Sequence, residues 1–148
     1  MTKKFMQEKI FIDTGAFIAL NDKSDQYHSD AISLAKFIVK NNTIKLFTSN
    51  LVVAETYTRI LYVSKPEIAI KFLDIVMQTG IVLLYSDAKT EIKSKEYLVK
   101  FKNEKISYTD AVSFQLMKEN VINKAFAYDH HFSLAGFTLL ADNNFERR

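Results

Sequence analysis

IFIDTGAFIAL, residues Ile10 to Leu20, is an apolar run broken once by a carboxylate. Ile10, Phe11 and Ile12 read as a strand buried on both faces, which is the pattern of a parallel sheet covered by helices. Asp13 then stands at the strand's end, followed by Thr14, Gly15 and a second apolar segment. An acid there lies beyond the carboxyl edge of the sheet, where open α/β sheets bind ligands. The same residue reads equally well as the cap of a following helix.

Working outward, short β-rich apolar runs alternate with longer segments of helical spacing. Strands are expected at Lys9–Asp13, Lys45–Thr48, Ile81–Tyr85 and Lys124–Tyr128, with a weaker one at Thr138–Leu140. Ser24 or Asp25 caps a helix reaching Asn41, in which Ala31, Leu34, Ala35 and Ile38 share one face. Asn50 starts a helix reaching Val63. Pro66 near its start and Gly80 after its end bound another over Lys65–Gln78. Asp87 and Ser107 open two more. Strand and helix in alternation predict an α/β fold in three layers, α/β/α, with a central, mainly parallel sheet of about five strands joined by right-handed crossovers.

At 148 residues the chain is read as a single domain over 1–148, with 48% apolar and 13% aromatic residues and only three Gly and one Pro. That composition belongs to an ordered globule rather than a disordered chain. The absence of cysteine excludes disulfides and thiolate metal sites. Lys3 and Lys4 open the chain, but Gln7, Glu8 and Lys9 interrupt any signal-like apolar stretch. No run approaches the roughly 20 residues of a membrane span, so a cytoplasmic protein with no membrane association is expected. The net charge of +3 is compatible with a polyanionic partner without requiring one.

Four acids carry the chemical signal. Asp13 closes the first strand, Glu55 lies in TSNLVVAETYTRI after the second, Asp110 lies in SYTDAVSF, and Asp129 follows the fourth strand in AFAYDHHF. In a parallel sheet these converge on one edge if the Asp110 helix begins there. Unneutralised, close pairs would repel by about 1 kcal/mol in water and about 4 kcal/mol at an effective dielectric near 20. Oxygen-only ligands suit a hard ion, Mg2+ or Mn2+, which also binds phosphate oxygens. Each acid has a structural alternative: Asp13 as a cap, Asp110 in a capping box with Ser107, Glu55 paired with Arg59 one turn on, and Asp129 as a turn residue. His130 and His131 read as incidental to a surface turn. An aspartyl phosphatase would need a second acid where Gly15 stands, and a receiver domain, which could use Asp87, would need paired acids after the first strand and a lysine after the last.

With FIDTGAFIAL, TSNLVVAE, SYTDA and AYDHHF in hand, nearly the whole chain resembles the PIN-domain family of metal-dependent ribonucleases, most closely the VapC-like toxins of toxin-antitoxin pairs. The resemblance implies a PIN-like fold and assigns the metal site and catalysis to Asp13, Glu55, Asp110 and Asp129. It sets the hydroxyls of Thr14 and Ser107 beside them, with Thr48 and Ser49 as further hydroxyl positions that read more simply as caps or turn residues. The chain departs from the family at Ala127, where many members carry threonine. The resemblance further implies an RNA substrate, a homodimer and a cognate antitoxin. A non-catalytic nucleic-acid- or partner-binding module of the same fold, or a nuclease of RNA processing, is the alternative. Lys23, Arg59, Lys102 and Lys105 are candidates for phosphate contact, and Tyr27, Tyr57, Tyr108 and Tyr128 for base stacking. Asp22, Asp25 and His28 are read as a capping segment.

Overall fold

The computed structural model describes residues 7–142. The lysine-bearing start, with Lys3 and Lys4, lies outside them. Strands β1 (Glu8–Ile12), β2 (Ile44–Ser49), β3 (Val82–Leu84), β4 (Lys124–Phe126) and β5 (Thr138–Leu139) form one sheet in the order β3-β2-β1-β4-β5. Every neighbouring pair is parallel. The helices are α1 (Thr14–Asn21), α2 (His28–Lys40), α3 (Asn50–Val63), α4 (Pro66–Gln78), α5 (Ala88–Lys100), α6 (Tyr108–Glu119) and α7 (His131–Leu134).

The strand order positions the site. From β1 the chain steps outward to β2 and β3, then returns across the sheet to β4 on the other side of β1. Right-handed crossovers place α1–α4 on one face and α5–α7 on the other, giving the expected three layers. The reversal of direction opens a crevice beside the carboxyl ends of β1 and β4. β1 is accordingly buried on both faces: Ile10, Phe11 and Ile12 are all in the core. Phe11 pairs with Phe47 on one side and Ala125 on the other. Phe17 of α1 meets Phe72 of α4 edge-on at 5.2 Å between centroids, and on the opposite face Phe114 of α6 meets Phe132 of α7 at 4.9 Å.

Three expectations need correction. Neither Ser24 nor Asp25 caps α2, which starts at His28 with Tyr27 before it and no side-chain cap. Asp22 Oδ1 instead accepts from the Ser24 N–H at 2.9 Å, and Asp25 Oδ1 from the Tyr27 N–H at 2.8 Å. Short acidic side chains fold back on their own backbone so readily that these two build consecutive turns ahead of the helix. His28 is tied to the preceding helix, its Nδ1 being 2.7 Å from Ala19 O. The fourth strand stops at Phe126 rather than Tyr128, because β5 pairs only with Lys124 and Ala125 and β1 reaches no further than Phe126.

The end of α6 shows a local conflict. Val121 has φ +54°, while the Ile122 N–H donates to Met117 O at 2.9 Å, the closing bond of a helix end at which glycine is usual. A left-handed β-branched residue costs roughly 1–2 kcal/mol, and glycine's larger unfolded-state entropy returns part of that gain. Val121→Gly, at a position 72% exposed, should therefore stabilise the fold by about 1 kcal/mol in urea unfolding. A net loss would contradict the helix-end account.

Candidate metal centre

Asp13 is delivered by two strands at once. Its N–H donates to Phe126 O at 3.0 Å, and the Thr48 hydroxyl donates to Ile12 O at 2.8 Å, so β4 and β2 both clamp the end of β1. Asp13 occupies the position before α1, but its side chain makes no cap bond, and the first helical amides, Ala16 and Phe17, go to its carbonyl. The carboxylate makes no cap bond, although the Thr14 and Gly15 amides are close enough to it to oppose the rise of its pKa. Glu55 lies in the second turn of α3, which Ser49 starts by accepting from the Val52 N–H at 3.1 Å. Ser107 starts α6 by accepting from the Asp110 N–H at 3.1 Å. Only this half of the capping box forms, leaving the Asp110 carboxylate available. Asp129 lies three residues beyond β4, where its Oδ1 accepts from the His131 N–H at 2.9 Å.

All four acids line a single cleft of about 380 Å³ with Thr14, Gly15, Ser107 and His131, and with Arg59 and Lys105 at its rim. Two of the structural alternatives are set aside: the Asp13 cap, as above, and the Glu55–Arg59 pair, since no ion pair joins those two among the described residues. The turn role of Asp129 is real and coexists with its place in the cleft. Lys23 and Lys102 do not line it. Nor do the tyrosines: Tyr108 donates to Glu91 Oε1 at 2.6 Å, Tyr27 stacks on Tyr128 at 4.3 Å, and Tyr57 packs against the core. Gly15 is not demanded by the backbone, because an added Cβ would meet nothing nearer than Tyr128 N at 4.0 Å.

Sequence reasoning left both histidines out of the site as incidental to a surface turn, and the structure brings His131 to the wall of the cleft. The two-residue step from Asp129, across the start of α7, turns its ring inward: the side chain is 13% exposed, against 77% for His130. Its Nδ1 lies 3.1 Å from Asp129 Oδ1 and 3.9 Å from Asp110 Oδ2. The available signal was the apolar Phe132, which anchors α7 in the core and so fixes which histidine faces inward.

Burial dominates the electrostatics. Asp13, 4% exposed, has its pKa pushed up to about 7, chiefly by desolvation, with Glu55 and Asp129 adding to the rise and the Thr14 and Gly15 amides opposing it. Asp110, 7% exposed, is raised to about 8 by desolvation first and then by the charges of Asp13 and Asp129. Asp13 Oδ1 and Thr14 Oγ1 are buried without a hydrogen-bond partner. Two unpaired buried oxygens, in a set of carboxylates that repel one another, fit a hard divalent cation. Asp110, Asp129 and His131 each offer a ligand atom, all within 4.8 Å of one another.

Folded Asp13 and Asp110 bind protons more tightly than they do in the unfolded chain, so they favour folding at low pH and lose that contribution as pH rises through about 7 to 8. In EDTA the stability difference between wild type and Asp110→Asn should therefore move in the variant's favour between about pH 5 and about pH 8, by up to about 1.4 kcal/mol per pH unit for the one proton. Added Mg2+ or Mn2+ at the upper pH should stabilise the wild type more than the variant. Parallel stability-pH curves in denaturant titrations would contradict the buried, cation-requiring reading.

Residues 10–137 match the PIN domain. A VapC ribonuclease of Archaeoglobus fulgidus is 34% identical over 125 residues, covering 83% of this chain and 78% of the relative. The 23S rRNA-specific endonuclease VapC20 of Mycobacterium tuberculosis is 31% identical over 128 residues, covering 86% of this chain and 95% of the relative. The crystal structure of VapC20, described as a sarcin-ricin loop cleaving toxin, superposes with a TM-score of 0.79 at 31% identity over 87% of this chain and 96% of that one. VapBC2 of Rickettsia felis, bound to a promoter DNA fragment, matches at a TM-score of 0.68 and 16% identity over 88% of this chain and 96% of that one, a likeness of fold. By the family match across most of its length and by these relatives, the chain belongs to the PIN-domain family and within it is most like the VapC-type toxins.

Proposed function

We propose that this protein is a metal-dependent endoribonuclease that hydrolyses RNA phosphodiester bonds, and that it is the toxin of a toxin-antitoxin pair, acting in the cytoplasm. The observation that carries the reading is the cleft lined by Asp13, Glu55, Asp110 and Asp129, in a chain whose relatives are named ribonucleases. These four residues would hold Mg2+ or Mn2+. Bound there, the ion supplies Lewis acidity toward a phosphate oxygen and a lowered pKa for the attacking water.

The rest of the work falls to side chains. The buried Asp13 and Asp110 give the site its fixed floor, while the half-exposed Glu55 and Asp129 stand where water and substrate enter. Arg59 and Lys105, exposed at the rim, attract the phosphate backbone without regard to sequence. Thr14 and Ser107 set their hydroxyls beside the acids, Ser107 by fixing the first turn under Asp110. A homodimer and a cognate antitoxin complete the proposal. Exposed Tyr62, Val63 and Ile70 on α3 and α4 supply apolar surface that a second copy would cover.

Wild type and folded Asp13→Asn and Asp110→Asn variants should be incubated with an RNA panel, including a sarcin-ricin-loop hairpin, in Mg2+, Mn2+ or EDTA. Cleavage should require the metal and fall by about 100-fold or more in each variant. Uncleaved RNA throughout, or undiminished cleavage by the variants, would contradict the nuclease reading and favour a binding module.

A further inference from the structure

We propose that His131 completes the metal centre as a nitrogen ligand beside Asp110 and Asp129, giving the site a built-in preference for Mn2+ over Mg2+. The inference rests on the reading of the cleft as a cation site and adds to it the identity of the favoured ion. Its first support is spacing. Two ligands at about 2.1 Å from one ion are about 3.0 Å apart when adjacent on an octahedron and about 4.2 Å apart when opposite. His131 Nδ1 stands 3.1 Å from Asp129 Oδ1 and 3.9 Å from Asp110 Oδ2, inside that range for both.

The second support is that the nitrogen is buried and has no hydrogen-bond partner, although Asp129 Oδ1 stands 3.1 Å away. It shares that condition with Asp13 Oδ1 and Thr14 Oγ1 of the same cleft, both on residues more than nine-tenths buried. Three unpartnered polar atoms lining one cleft mark a place for a ligand that accepts lone pairs. The backbone that carries the ring is fixed: Phe132 is fully buried and the His131 main-chain N–H donates to Asp129 Oδ1, and the side chain is 13% exposed.

The chemical consequence follows from donor type. Mg2+ is a hard ion that takes oxygen and keeps its waters, whereas imidazole suits transition metals, and Mn2+ tolerates mixed oxygen and nitrogen sets. A four-carboxylate cleft offers a donor type that both ions accept. One imidazole in the set adds a donor that favours Mn2+.

Pulsed EPR on the full chain loaded with Mn2+ tests this directly. The bound ion should show coupling to a single 14N nucleus, replaced by 15N coupling when the protein is made with 15N-histidine, a comparison needing no variant. His131→Gln should remove the coupling and weaken Mn2+ binding by about 10-fold while changing Mg2+ binding far less; His130→Gln should leave the coupling intact. Mn2+ bound in a manner that needs Asp13 and Asp110 but without nitrogen coupling would overturn the role of His131 and leave the carboxylate site standing. Coupling that survives Asp110→Asn and is lost in His130→Gln would place the ion on the exposed group of Glu104, His130 and His131 instead, and also overturn it. Failure of the wild type to bind Mn2+ or Mg2+ at all would remove both the inference and the reading beneath it.

Discussion

Repulsion among carboxylates crowded at one sheet edge is the constraint around which this molecule is built. Asp13 and Asp110 are desolvated and face Glu55 and Asp129, an arrangement that costs stability unless something positive joins it. The rest of the fold holds the acids there against that cost. β1 is clamped at its end by β4 through the Asp13 N–H and by β2 through the Thr48 hydroxyl. α3 and α6 are each started by a serine, so that Glu55 and Asp110 arrive from their first two turns with fixed direction. A core of packed aromatics on both faces of the sheet keeps these elements from relaxing apart.

The topology explains why four acids so far apart in sequence meet. A strand order of 3-2-1-4-5 reverses direction at β1, and the crevice at that reversal lies between the residues that follow β1 and β4. The helix bearing Asp110 also begins at that edge, because it returns the chain to β4. The strand order places the crevice but is common to many doubly wound sheets; the match of residues 10–137 to the PIN domain and the relatives named as VapC ribonucleases are what assign the family.

Much of this was legible from residue patterns. The unbroken Ile10–Ile12 run identified a doubly covered strand, Pro66 and Gly80 bounded α4 closely, and Ser107 was read correctly as a helix start. Capping around Ser24 and Asp25 was misread because an aspartate that caps a helix and one that closes a turn on itself share the same local chemistry. The reach of β4 was overestimated, since strand ends depend on partners: Ala127 and Tyr128 are apolar enough for a strand but have no ladder to join. His131 was missed for a similar reason. Which of two adjacent histidines points inward is decided by Phe132 anchoring α7 from the far side, a tertiary contact with no periodicity to announce it.

The central claim is that Asp13, Glu55, Asp110 and Asp129 together form a divalent-cation site. The most direct measurement is a crystal structure of the protein grown with Mn2+ and phased to show anomalous scattering from the metal. The account predicts an anomalous peak within the cleft, at ligand distance of about 2.1 to 2.3 Å from the carboxylate oxygens of Asp13 and Asp110. A well-diffracting crystal grown at saturating Mn2+ with no peak in the cleft, or with the metal bound only elsewhere, would contradict it.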